Sequence, residues 1–86
     1  MADPLEMKSK FHAWTNEVFT QSPFDPKTNN LLSLVAALVL GNEGAVSYFY
    51  FSAQKAGATD AELAAATAIA IAATGLNSYA LLLKGE

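Results

Sequence analysis

The chain contains no cysteine, and that absence removes more chemistry than any other feature of its composition. Disulfides, thiolate metal sites and thiol catalysis are all excluded. Arginine is absent too: the five basic residues are Lys8, Lys10, Lys27, Lys55 and Lys84, scattered without forming a stripe. A nucleic-acid surface needs clustered positive charge, so nucleic acid is not an expected partner. A single histidine, His12, is too little for a histidine-based metal centre within one chain. Neither a metal nor any other cofactor is expected. Charge of either sign is scarce, at 15% of residues with a net −3, where about 25% is usual.

What fills the chain instead is apolar: 52% of its residues are hydrophobic. At 86 residues it reads as one domain, 1–86, and a domain so small buries only about 60% of its extended surface. The surplus must lie between subunits or in lipid. The N-terminal MADPLEMKSK lacks the apolar run that follows the basic start of a secretory signal. The expected location is therefore cytoplasmic.

Residues 1–22 read as an N-terminal amphipathic helix. Asp3 can cap it, Pro4 suits the first helical position, and Glu6 follows at capping-box distance. Met7, Phe11, Trp14 and Val18 recur at spacings of four, three and four, which makes one apolar face. His12 sits beside that face, where a partly exposed or locally bonded histidine is the ordinary reading. Pro23 ends the segment. A second helix opens on Asp25 and Pro26; Leu31 to Leu40 is apolar on every side and predicts a helix buried all round. At about 15 Å it is too short to span a bilayer. Asn29 and Asn30 are expected to do no more than solvate its first turn.

Gly41 ends that helix and Asn42 caps the next. Ala45, Tyr48, Phe49, Ser52 and Ala56 share one side of this third helix, with Tyr50 and Gln54 turned away. Aromatic residues at such spacing usually pack rather than hold a cofactor. Gly57 closes the helix, and Thr59 with Glu62 has the spacing of a capping box for a fourth. That helix is rich in alanine, the residue of highest helix propensity. Gly75 is expected to interrupt it, with Asn77 and Ser78 capping a short last segment through Leu83; Gly85 and Glu86 form a tail.

Leu63 to Leu83 carries no charge and is long enough to cross a membrane. Thr67, Thr74, Gly75, Asn77 and Ser78 oppose insertion, and no basic cluster or tryptophan belt flanks the segment. Burial within a helical oligomer accounts for the same composition, so a membrane is not the expected partner.

The text from Asp25 to Gly75, and above all KAGATDAEL (residues 55–63), resembles the carboxymuconolactone decarboxylase and alkylhydroperoxidase D-like superfamily. The resemblance covers a family-like helical core, residues 25–83, and the first helix only loosely. It implies an all-α domain of about four to five antiparallel helices, assembled as a homo-oligomer, from dimer to hexamer. It also implies a redox site: a glutamate on the second helix, then Cys-x-x-Cys-x-x-x-His at the start of the third. A helix N-terminus and a nearby base would lower a thiol's pKa there. At the matching positions this chain has Asn30, Asn42, Ala45 and Phe49. None can carry the proton or the electrons, so thiol peroxidase activity is not expected.

Those four residues mark a candidate binding pocket. Glu43, Tyr48 and His12 are the candidate catalytic groups for a divergent acid–base enzyme acting on a small organic acid. Without arginine, a dicarboxylate would bind poorly, and Glu43 fits an ordinary acidic first-turn residue. The leading expectation is a non-catalytic oligomer serving assembly or small-ligand binding. The divergent enzyme is the alternative, and a small membrane-associated protein the third.

Overall fold

In a computed structural model, residues 3–84 fold into four helices with no strand among them. The expected tail, Gly85 and Glu86, lies outside the described residues. Helix α1 spans Pro4–Gln21, α2 Pro26–Leu40, α3 Glu43–Lys55 and α4 Asp60–Lys84. Each start is capped as its sequence dictates. Asp3 accepts from the Leu5 N–H at 3.0 Å, Asp25 from Thr28 at 2.7 Å, and Asn42 from Ala45 at 3.0 Å. Before α4, the Thr59 N–H donates to Glu62 Oε1 at 2.9 Å, and the Glu62 N–H returns to Thr59 Oγ1 at 3.1 Å. These bonds satisfy donors that a helix start otherwise leaves free.

Two glycines make the turns. Gly41 adopts φ +73°, and its N–H donates to the carbonyls of Ala37 and Leu38. Gly57, at φ +100°, closes α3 in the same left-handed region, which side chains other than hydrogen rarely occupy.

Helix α2 packs against both α3 and α4. Leu34, Ala53, Leu63 and Ala66 form the buried centre, with Leu31, Val35, Leu38, Val46, Phe49 and Ala58 around it. This core is thin: among the described residues, only Leu34 and Leu63 of the fully buried side chains exceed alanine in size.

Three expectations need correction. Helix α2 is not buried all round, because α3 and α4 cover only one side of it; Leu32, Val39 and Leu40 stay exposed. Gly75 does not interrupt α4, which runs unbroken for 25 residues. A single glycine costs a helix only about 1 kcal/mol, less than two new helix ends would, and Thr74 Oγ1 bonds back to the Ala70 carbonyl at 2.7 Å within the continuous turn. Asn29 does not solvate a helix start: it is 9% exposed and ties α1 to α2. Its Nδ2 donates to the Phe19 carbonyl at 3.2 Å, and its Oδ1 accepts from Ser22 Oγ at 2.8 Å.

A lone copy of this fold leaves much uncovered. No residue of α1 is buried, and Phe11 and Trp14 are 59% and 60% exposed. From Ile71 to Lys84 every residue of α4 is exposed. The radius of gyration is 16.1 Å, where a compact chain of this length has about 12 Å. The accessible surface is 6608 Å², against about 4,900 Å² for a compact monomer of this mass.

Candidate functional site

The last half of α1, the first turn of α2 and the middle of α3 meet around Phe49. Phe19 stacks on its ring, with centroids 6.4 Å apart and planes at 21°. Tyr48 meets it edge-on at 5.1 Å and 82°. Such pairs contribute beyond the area they bury. The clasp is secured from below by Asn29, whose bonds to Phe19 and Ser22 fix where α1 leaves the core, while Ser22 Oγ accepts from the Phe24 N–H at 3.1 Å.

Above this clasp lies a cleft of about 380 Å³. Phe19 and Phe49 supply its apolar wall; His12, Thr15 and Asn16 of α1 face Asn30 and Tyr48 across it. Four of the seven sequence-predicted residues therefore come together here: His12, Asn30, Tyr48 and Phe49. The other three do not. Asn42 is committed to capping α3, with Oδ1 held by the Ala45 N–H, and Ala45 lies half-buried behind it. Glu43 borders a separate hollow beside Leu38, Gly41, Val46 and Ser47.

The cleft offers an imidazole, a phenol, two carboxamides and a hydroxyl beside two benzene rings. Among the described residues no hydrogen bond joins His12 to Tyr48, and the Asn30 amide is turned to its own helix, donating to the Pro26 carbonyl at 2.8 Å. No lysine lines the cleft, so an anionic substrate would find no permanent cation there. Phe49 fills its part of the cleft with an apolar ring. Nor do the described residues bring three His, Asp or Glu side chains together as a metal site would need.

Where side chains do perturb one another, the setting is structural. Lys27 Nζ lies 2.9 Å from Glu62 Oε2, linking the starts of α2 and α4. The Thr59 N–H, and then Lys27, hold the Glu62 carboxyl below its usual range; the hydrogen bond to Glu62 holds the Lys27 ammonium above its own. The Thr28 N–H lowers Asp25 in the same way. All three belong to helix starts and none to the cleft.

Two features went unread in the sequence. One is the Asn29 tether, whose only signal was the Ser22–Asn29 pair flanking a proline turn. The other is an apolar groove of about 490 Å³ along α4, bounded by Leu38 of α2 and by Thr67, Ala70, Ile71, Thr74, Gly75 and Ser78. Its signal was present as small residues recurring three and four apart, a helical face. By length and composition α4 could also cross a membrane.

Neither curated proteins nor solved structures give a significant match to the chain. A model of the carboxymuconolactone decarboxylase family matches residues 6–84, nearly the whole length and including α1. With four helices, the KAGAT turn between α3 and α4, and no cysteine at the start of α3, this chain belongs to the carboxymuconolactone decarboxylase family and lacks the cysteine pair of its redox-active branch.

Proposed function

We propose that this protein is a non-catalytic family member that works as a cytoplasmic homo-oligomeric helical unit, its cleft serving at most to bind a small ligand. The observation that carries the reading is the surface of the lone protomer, whose 6608 Å² includes most of α1 and the outer half of α4. Burying apolar area contributes about 25 cal/mol per Å², so self-association has a large driving force. The position matching the family's histidine holds Phe49, locked between Phe19 and Tyr48. Size-exclusion chromatography with light scattering should give a multimer, and a peroxide-consumption assay on that multimer should give the buffer rate. A detergent-free monomer, or recovery only in detergent-extracted membranes, would remove the assembly reading. Peroxide turnover that follows the protein through purification would remove the non-catalytic one.

The cleft shared by His12 and Tyr48 favours a second reading, an acid–base enzyme on a small organic molecule. In it His12 moves the proton and Tyr48 orients a substrate oxygen, with Glu43 excluded by its separate position. Loss of a measured turnover in both His12→Gln and Tyr48→Phe, each still folded, is its test.

A further inference from the structure

We propose that α1 of one copy lies in the α4 groove of a second copy, antiparallel to it, and that the exchange is reciprocal. The inference rests on the homo-oligomer reading above and names its interface.

The two surfaces match in spacing. On one face of α1 Met7, Phe11, Trp14 and Val18 are exposed, with Leu5 and Phe19 exposed off that face; on α4 the groove contains Thr67, Ile71, Thr74 and Ser78. Both series step by four, three and four residues and both extend about 17 Å along a helix. A stripe of this period stays in register with a facing stripe of the same period, as in coiled-coil packing. They also match in size, because the α1 series is bulky and the α4 series is mostly small.

Gly75 adds an independent indication. A Cβ built there meets nothing within 4 Å of its own protomer, and its φ is not positive. Neither the turn geometry nor the packing of one copy requires glycine at this point in the helix. A bulky side chain arriving from another copy would use the space.

Area and charge select the arrangement. The protomer exposes roughly 1,700 Å² more than a compact monomer of its mass. A reciprocal exchange gives each copy two contacts, its α1 on the partner and its α4 under the partner's, and a stable interface needs about 800 Å² per copy, well within that excess. Antiparallel packing places Asp3 and Glu6 of α1 near Lys84, and opposes the helix dipoles. Parallel packing would bring Asp3 toward Asp60 with no lysine between them, since Lys10 is paired with Glu6 and Lys27 with Glu62. The cleft is left open, since His12 and Phe19 lie about a third of a turn around α1 from the stripe.

The absence of native cysteine makes the test direct. Chains carrying only Met7→Cys are mixed and reassembled with chains carrying only Ser78→Cys, then oxidised and identified by mass. A disulfide needs Cα atoms about 4.4–6.8 Å apart, so Met7→Cys cannot reach both ends of a 17 Å groove. The expected result is a mixed Met7→Cys/Ser78→Cys dimer in high yield, at least tenfold above the Met7→Cys/Thr67→Cys pair. Gly75→Leu should shift the native protein to a smaller species while its helical circular dichroism is retained. An oligomer with no mixed disulfide, or with the Thr67 pair favoured, overturns this interface and leaves the assembly reading standing. A wild-type monomer overturns both.

Discussion

Asn29→Ala should be among the most damaging single changes outside the apolar core, although the residue replaced is polar and lies in the first turns of a helix. The side chain makes two hydrogen bonds that hold α1 to α2, one to the Phe19 carbonyl and one from the Ser22 hydroxyl. Each contributes a net ~0.5–1.5 kcal/mol, and a partner left unpaired in a buried position adds a desolvation penalty of ~1–3 kcal/mol. The expected loss is about 2 kcal/mol, or a fall in Tm of about 8–16 °C for a domain of this size. The neighbouring Asn30 is the internal control. Its bond reaches back one turn to Pro26 at the surface, and Asn30→Ala should cost under about 0.5 kcal/mol. Urea unfolding at one fixed protomer concentration, followed by circular dichroism and by Trp14 fluorescence, separates the two. Equal losses for both variants, or an Asn29→Ala curve within error of wild type, would refute the tether.

Leu34→Ala should cost about 2–5 kcal/mol in the same assay, since it removes one of the two large side chains fully buried in the core of the described residues. Acidification should destabilise the fold. The Asp25 and Glu62 carboxyls titrate below their usual values in the folded chain, so their contribution is complete above the unfolded carboxylate pKa and is lost as pH falls through the folded one. Thermal melts across the acid range should show this, and Glu62→Gln should flatten the profile. The Lys27 contribution runs the other way, present below the unfolded lysine value and lost as pH rises through the raised one. Gly41→Ala should lower stability by about 1–2 kcal/mol, because φ +73° places its Cβ against the following carbonyl; an unchanged melting curve would show that the turn relaxes.

Local rules carried much of the architecture. Asp3, Asp25, Asn42 and the Thr59–Glu62 pair act within three residues of themselves, so four helix starts were legible without any knowledge of neighbours. The KAGATDAEL turn carried the family, and the missing cysteines carried the exclusion of its thiol chemistry. Gly75 was misread because glycine is a weak signal in mid-helix, and the cost of one glycine is small beside that of ending and restarting a helix.

What the tertiary structure decided was which residues distant in sequence share a space. His12, Asn30, Tyr48 and Phe49 meet because Asn29 and Phe19 set the angle at which α1 crosses α2 and α3. That angle depends on a buried amide and a ring stack, not on periodicity. The same packing parted Glu43 from the other candidates and committed Asn42 to a helix cap. It also exposed a limit of reading hydrophobicity along a chain. An apolar helix predicts that its surface will be covered, which holds for Leu34 and Leu63 within the protomer. Trp14, Leu40 and Leu82 have no such cover there, because hydrophobicity specifies removal from water and three-dimensional placement alone specifies against what.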